Sequence, residues 1–140
     1  MAIMNNNLLK TADGSHTLFV PALDEHYHSI NGALTESKHV FIENGLRLFD
    51  EKETISILEI GFGTGLNAFL SYMEAKQRNI HIHYTAIELY PLKKEIVKRL
   101  NFPDLIQTET LFFHFLHDCD WEKEVPVDSR FTLHKIEKVR

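Results

Sequence analysis

The spacing of apolar and polar residues changes along this chain from strand-like to helix-like, and the clearest change lies near its middle. Residues 55–60 form an apolar and β-branched run, after which glycines alternate with other residues and a helical apolar pattern begins at Leu66. An apolar run bounded by glycines predicts a buried strand and a tight turn. Because the helical pattern continues to Arg78, we predict a strand, a glycine turn and an amphipathic helix in that order.

Downstream of this helix, the pattern predicts two further strands separated by helices. The strands are expected over Ile82–Ile87 and Phe131–Ile136, and Pro126 is expected to break the chain before the second of them. Helices are expected to start at Pro91 and to cover Leu105–His117. Strands that alternate with helices predict an α/β fold with a parallel sheet and right-handed crossovers.

Upstream of the glycine turn, the pattern is that of a hairpin and a helix. Two β-leaning runs, 8–11 and 16–20, flank an Asp13-Gly14 pair, which is a hairpin signal. Residues 24–32 are predicted to form a loop. A helix is predicted over Glu36–Phe49, with Thr35 as its N-cap.

The composition limits the class of protein. With 140 residues, of which 44% are hydrophobic and 25% charged, the chain suffices for one domain with a core. The net charge of −5 disfavours broad, non-specific nucleic-acid binding. Cys119 is the single cysteine, which excludes a disulfide framework and fits a reducing compartment such as the cytoplasm. We expect neither a signal peptide nor a membrane span, since no apolar stretch approaches roughly 18 residues.

The spacing of glycines and acids indicates the ligand. Gly61, Gly63 and Gly65 depart from the G-x-G-x-x-G fingerprint of dinucleotide enzymes. Glu59, two residues before the first glycine, would repel a pyrophosphate and attract a cationic amine. S-adenosylmethionine (SAM) carries such an amine and no phosphate, and Glu88 after the second strand is placed for its ribose hydroxyls. We therefore predict a SAM site. An ordinary strand-to-helix turn is the structural alternative, and the glycine spacing disfavours a nicotinamide-dependent oxidoreductase.

Four motifs of the sequence resemble those of a known family. They are Thr11-Ala12-Asp13-Gly14-Ser15, Asp24-x-x-Tyr27-His28-Ser29, Gly32-Ala33-Leu34-x-Glu36-Ser37-x-x-Val40-Phe41-Ile42 and Glu59-Ile60-Gly61-Phe62-Gly63-Thr64-Gly65-Leu66-Asn67. Together they resemble the MnmD-type enzymes and the methyltransferase half of the fused MnmC proteins. The resemblance implies a SAM-dependent methyltransferase that converts 5-aminomethyl-2-thiouridine into 5-methylaminomethyl-2-thiouridine at the wobble position of bacterial tRNA.

The resemblance also implies an architecture. It is the N-terminal half of the Rossmann-like class I SAM-dependent methyltransferase fold, with strands in the order 3-2-1. Residues 1–54 would form an extension of hairpin, loop and helix, and residues 55–140 a partial SAM-binding domain. In the family, a fourth strand carries an Asp-Ala-Phe-type motif beside the acceptor, and a Gly-Asp follows strand three. This sequence has neither motif and reads Glu137–Arg140 after strand three. It therefore resembles a C-terminally truncated member, and we assign no catalytic residue.

Cofactor-binding roles fall on the glycine motif, its flanking acids and the loop of the extension. The residues are Glu59, Gly61, Phe62, Gly63, Thr64, Gly65, Asn67, Glu88, Tyr27 and Ser29. For Tyr27, the alternative is that the ring pins its loop onto the core. The implied partners are tRNA as substrate and an oxidoreductase domain, as in the fused proteins. The alternative function is a module that binds SAM without catalysis.

Two other patterns have simpler explanations. The histidines pair as His26-x-His28, His81-x-His83 and His114-x-x-His117, but no third ligand is evident for any pair, so no metal is predicted. The basic residues Lys93, Lys94, Lys98 and Arg99 lie on the outer side of the helix expected after Pro91. A solvated helix face explains them better than contacts to tRNA phosphates.

Overall fold

The computed structural model describes residues 7–20, 25–27, 32–49, 54–106 and 110–138. The strands are β1 (Asn7–Lys10), β2 (His16–Val20), β3 (Glu25–His26), β4 (Thr54–Ile60), β5 (His81–Glu88), β6 (Glu124–Asp128) and β7 (Phe131–Glu137). The α-helices are α1 (Ala33–Glu36), α2 (Leu66–Arg78), α3 (Lys94–Val97), α4 (Phe102–Ile106) and α5 (Thr110–Asp118). None of the helices described is long and apolar enough to cross a membrane.

The main sheet has four strands in the order β4-β5-β7-β6. Strands β4, β5 and β7 are parallel, so the predicted 3-2-1 order is confirmed. Strand β6, which joins β7 in an antiparallel pairing, was not predicted, because Pro126 was interpreted as a chain break. Proline lacks the N–H that a central strand needs, but an edge strand tolerates it, and here an irregularity in the register between Pro126 and Asp128 accompanies it.

The core lies between the main sheet and its helices. Helix α2 has the predicted bounds and ends at Asn79, whose φ of 60° is left-handed and stops the helix. Its Tyr72 ring stacks on Phe112 of α5 and meets the edge of Phe131 in β7, which ties both helices to the sheet. On β7, alternate residues are buried because they face this core, as the sequence pattern predicts.

The helices outside α2 differ from the prediction. The helix expected over Glu36–Phe49 begins earlier, at Ala33, and continues as a π-helix over Ser37–Glu43 and a 3₁₀ helix over Leu46–Phe49. Its first N–H groups are satisfied by side chains of the hairpin, so Thr35 lies inside the helix and is not its N-cap. The helix expected from Pro91 is confined to α3.

The helix expected over Leu105–His117 falls on two described helices, α4 and α5. Residues 107–109 between them lie outside the described residues, so the prediction of one continuous helix stays a prediction. Pro103 explains why α4 starts before the predicted position, because proline is tolerated in the first turn of a helix.

A second sheet is formed by the extension. Strands β1 and β2 pair antiparallel around Asp13-Gly14, so the predicted hairpin is confirmed. Strand β3 pairs with β2 within the region predicted to be a loop, and that part of the prediction is wrong. The rest of the predicted loop, including Ser29, lies outside the described residues apart from Tyr27 and Gly32.

Strand β4 lies at the edge of the main sheet. Among the described residues it pairs with β5 alone, and Leu58 and Ile60 are 63% and 76% exposed. Beside it runs an apolar groove of about 770 Å³, lined in part by Val40, Phe41 and Ile57. An open edge with apolar side chains is a template for pairing with another strand.

We expect the isolated chain to self-associate through β4 as its concentration rises. Replacing Leu58 by lysine should weaken this association several-fold, because a charge on an exposed edge opposes strand pairing. Sedimentation velocity at several concentrations measures the effect. The matched control is Leu111→Lys, which changes a residue on α5 that is 82% exposed. A monomer at all concentrations, or an equal effect of both substitutions, would contradict the expectation.

Candidate functional site

The loop that joins β4 to α2 holds three glycines in the left-handed region. The φ angles of Gly61, Gly63 and Gly65 are 92°, 54° and 77°. A side chain at any of them would be strained, since L-residues avoid this region. A Cβ on Gly63 would lie 3.2 Å from the Tyr27 ring, and one on Gly65 would lie 2.8 Å from His117 Nε2. A Cβ on Gly61 would meet nothing within 4 Å, so this glycine borders open space.

That open space is a cavity of about 420 Å³ at the carboxyl ends of β4 and β5. It brings together eight of the ten residues predicted for the cofactor, together with two apolar neighbours: Tyr27, Glu59, Ile60, Gly61, Phe62, Gly63, Thr64, Leu66, Asn67 and Glu88. Of the remaining two, Gly65 closes the loop instead, by donating its N–H to the Phe62 carbonyl at 2.9 Å. Ser29 lies outside the described residues.

Glu59 presents a carboxyl group with a free oxygen to this cavity. Its Oε2 accepts a hydrogen bond from Asn67 Nδ2 at 2.9 Å, whereas Oε1 is buried and, like Asn67 Oδ1, makes no hydrogen bond of normal length among the described residues. The buried Tyr84 hydroxyl also lacks a hydrogen bond of normal length, but it lies close enough to the Glu59 carboxyl to influence its ionisation. Burial raises the pKa of Glu59 to about 7, and the nearby Glu88 charge adds to this, although Tyr84 and Asn67 oppose it. Unpaired buried acceptors are costly, so these two oxygens are candidates for binding an incoming donor.

Glu88 holds the glycine loop to the end of β5. Its Oε1 accepts the Gly63 N–H at 2.7 Å and its Oε2 accepts the Tyr90 N–H at 3.0 Å. The Gly61 N–H donates to the Ile87 carbonyl at 2.7 Å, which is a second hydrogen bond between the glycine loop and β5. A carboxylate has about four acceptor positions, so Glu88 retains the capacity to accept hydrogen bonds from a ligand.

Two supporting residues were missed at the sequence level. His117 Nε2 lies 2.8 Å from the Thr64 carbonyl, and burial lowers the pKa of His117 to about 4. The ring is therefore neutral at pH 7, and its Nε2–H donates to the loop. Lys135 Nζ donates to the His117 carbonyl at 2.7 Å and lies 4.7 Å from the Trp121 ring centre and 5.6 Å from that of Phe62.

The sequence pattern contained one indication that Lys135 has a structural role. It shares the apolar face of β7 with Phe131 and Leu133, and it is fully buried there. A lysine in such a position needs partners, and the carbonyl and the two aromatic faces supply them. His117 had no comparable signal, because its contact to Thr64 joins residues far apart in the sequence.

The histidine pairs and the basic residues singled out in the sequence form no further site among the described residues. The described residues contain no group of three or more histidine, cysteine or acidic side chains that is able to hold a metal ion. The basic residues Lys93, Lys94, Lys98 and Arg99 are exposed on and around α3. Nothing in their geometry distinguishes a nucleic-acid contact from a solvated surface.

The fold and this site define a class of protein. A parallel sheet whose first strand runs through a glycine loop into a helix, with acids at the ends of two adjacent strands, is the first half of a Rossmann-like fold. No family model matches the chain.

Comparisons with known proteins identify the family. The chain is 37% identical over 105 residues to the tRNA 5-methylaminomethyl-2-thiouridine biosynthesis bifunctional protein MnmC of Leptospira interrogans. It is 34% identical over 88 residues to the MnmC protein of Burkholderia multivorans. These matches cover 68% and 59% of the chain but 16% and 13% of the relatives, so the chain spans about a sixth of their length.

The structural comparison agrees with this result. The crystal structure of MNMC2 from Aquifex aeolicus matches 99% of the chain with a TM-score of 0.78 and 26% sequence identity, and the match covers 44% of that protein. The chain therefore belongs to the MnmC methyltransferase-domain family, and the Rossmann-like methyltransferase fold is confirmed.

Replacing Glu59 by glutamine should stabilise the protein at pH 8. The folded-state pKa of about 7 lies above the ordinary value of 4.5 for a glutamate, so ionisation costs stability as the pH rises through this interval. At about 1.4 kcal/mol per pKa unit, the gain at pH 8 is on the order of 3 kcal/mol, and it should vanish near pH 4. Thermal melts at both pH values measure it.

The matched control is Glu74→Gln, for which the opposite sign is expected. Burial of Glu74 is outweighed by its bonds to Arg47 and Arg78, so the pKa of Glu74 is lowered. Its charge therefore stabilises the fold at pH 8, and glutamine should lower the melting temperature. Equal destabilisation by both substitutions would contradict the interpretation of Glu59.

Proposed function

We propose that this chain is the cofactor-binding part of a SAM-dependent methyltransferase that acts on the aminomethyl group of a tRNA wobble uridine. The observation that carries the proposal is the unpartnered, buried Oε1 of Glu59 beside the glycine loop. The tRNA substrate is proposed from the relatives, which are named for 5-methylaminomethyl-2-thiouridine biosynthesis. An enzyme with this substrate would act in the cytoplasm.

The residues of the cavity fit the cofactor. Glu59 Oε1 and Asn67 Oδ1 are two buried acceptors that would receive the α-ammonium group of SAM. Glu88 would accept hydrogen bonds from the ribose hydroxyls, and Gly61 leaves room for the ligand to approach the main chain. The Glu59 carboxylate would repel the pyrophosphate of a nicotinamide cofactor, which, with the glycine spacing, argues against the oxidoreductase alternative.

The role of this chain in the chemistry is to bind and orient. When bound, SAM supplies a methyl group on a sulfonium, which is transferred to a neutral amine. Glu59 and Asn67 would hold the amino-acid end of the cofactor and Glu88 its ribose, and a fixed orientation supplies much of the rate of such a displacement. Tyr27, packed against Gly63, covers one wall of the cavity.

Binding without turnover is the outcome we propose for residues 1–140 alone. The residues described here place no group for removing the proton of the acceptor amine, a step that methyl transfer requires. The relatives are named as bifunctional proteins, and an oxidoreductase domain as the second partner belongs to the same proposal. The binding module without catalysis thus remains the alternative for this chain.

The test compares two substitutions in the chain. Glu88→Ala should weaken SAM binding by about 10- to 150-fold, since hydrogen bonds to a charged group contribute about 1.5–3 kcal/mol. Lys93→Ala, an exposed residue outside the cavity, should change the affinity less than about twofold. Isothermal titration calorimetry measures both. If both variants bind SAM equally well, the ribose role of Glu88 is refuted; if the unmodified chain binds no SAM, the proposed function is refuted.

A further inference from the structure

We propose that Asp13 is a positioning residue for the cofactor site: by fastening the hairpin turn to the start of α1, it holds Tyr27 against the glycine loop. The proposal rests on the proposed function for the identity of the ligand, but its structural part does not depend on that ligand. Asp13 is in the hairpin turn and does not line the cavity, but a series of contacts connects it to Tyr27.

The Asp13 carboxylate joins two elements that are distant in sequence. Its Oδ2 accepts hydrogen bonds from both the N–H and the Oγ1 of Thr35, each at 2.7 Å. Its Oδ1 accepts the Ser15 N–H at 3.0 Å and the Thr11 hydroxyl at 2.9 Å, and it also accepts the Ser15 hydroxyl. Among the described residues, the hydrogen bonds that this carboxylate accepts therefore come from the turn and from α1.

The neighbours of Asp13 complete the connection. The Ala33 N–H donates to Thr11 Oγ1 at 3.2 Å, and the Leu34 N–H donates to Ser15 Oγ at 3.0 Å. Gly32, with a φ of 143°, allows the close approach, because a Cβ there would lie 2.9 Å from Asp13 Oδ2. The first three N–H groups of α1 are thus capped by the hairpin, since the N-cap residue is a glycine without a side chain to cap them.

Asn101 fixes the same turn to the body of the protein. Its Nδ2 donates to the Gly14 carbonyl at 2.8 Å, and its Oδ1 accepts the His16 N–H at 3.0 Å. The turn is therefore held on one side by α1 and on the other by the segment between α3 and α4. The Asp13 carboxylate lies in this turn and therefore restrains its position relative to α1.

Strand β2 carries the restraint from the turn to the cavity. It begins at His16, and its Leu18, which is fully buried, accepts the Tyr27 N–H at 2.8 Å. The Tyr27 ring packs against Gly63, and the Gly63 N–H is bound to Glu88. If the hairpin turn loosens, we expect Tyr27 to shift and the wall of the cavity to become less ordered.

A double-mutant cycle distinguishes positioning from general stabilisation. We expect Asp13→Asn to weaken SAM binding at least fivefold in the unmodified chain and less than twofold in a Tyr27→Ala background. Asp104→Asn, an equal charge change at an exposed position, should leave the affinity unchanged. Equal effects of Asp13→Asn in both backgrounds, or no effect in either, would overturn the proposal.

A milder pair of variants covers the case in which Asp13→Asn does not fold. Thr35→Ala removes one hydrogen bond to Asp13 Oδ2, and Thr35→Ser restores the hydroxyl. We expect the alanine variant to reproduce part of the loss of affinity and the serine variant to recover it. Loss of affinity in both variants to the same degree would overturn the proposal.

Amide hydrogen exchange tests the structural part without any ligand. In Asp13→Asn or Thr35→Ala, exchange should accelerate at the amides of Tyr27 and Gly63, while the Ile82 amide in the main sheet stays unchanged. Unchanged exchange at Tyr27 would refute the positioning role. If the unmodified chain binds no SAM while Tyr27 exchange responds as expected, the proposed function fails and the link from Asp13 to Tyr27 stands.

Discussion

The loop between β4 and α2 keeps three residues in the left-handed region, and hydrogen bonds from outside the loop maintain that conformation. Glu88 accepts the Gly63 N–H from the end of β5, and His117 of α5 donates to the Thr64 carbonyl from the opposite side. Tyr27 packs on the same loop from the extension. Strand β5, helix α5 and the N-terminal extension therefore all contact the glycine loop. These contacts shape the cavity.

Within this arrangement, the buried acid Glu59 is a cost to the fold. Its carboxyl lacks a partner at Oε1, and burial raises its pKa to about 7, so ionisation near neutral pH reduces stability. By contrast, the buried acid Glu74 has two arginine partners, and its pKa is lowered. This difference is what the proposed function requires, since a strained acid beside a cavity is a candidate for ligand binding and an acid paired with two arginines is structural.

The sequence predicts the parts of the fold that depend on local chemistry. The apolar run, the glycines and the helical period define β4, the loop and α2, and Asp13-Gly14 defines the hairpin. Contacts between distant residues were not predictable in this way. The start of α1 was misplaced because its cap comes from Asp13, and His117 was overlooked because its partner, Thr64, lies in another element.

At the candidate site, the sequence also predicts which residues lie close together, but not the hydrogen bonds that each of them makes. Glu59, Asn67 and Glu88 line one cavity, as their positions at strand and helix ends suggested. That Glu88 already supports the glycine loop, and that Glu59 is left with a free oxygen, follow from the three-dimensional arrangement alone.

The central claim is that Glu59 receives the cationic amine of SAM as a carboxylate. The most direct measurement is the SAM affinity of the chain between pH 5 and pH 7.5. Since the pKa of Glu59 is about 7, affinity should rise with pH by up to about tenfold per unit below pH 7 and then level off. Glu59→Gln should bind weakly and show no such rise. An affinity independent of pH, or a rise that persists in Glu59→Gln, would contradict the account.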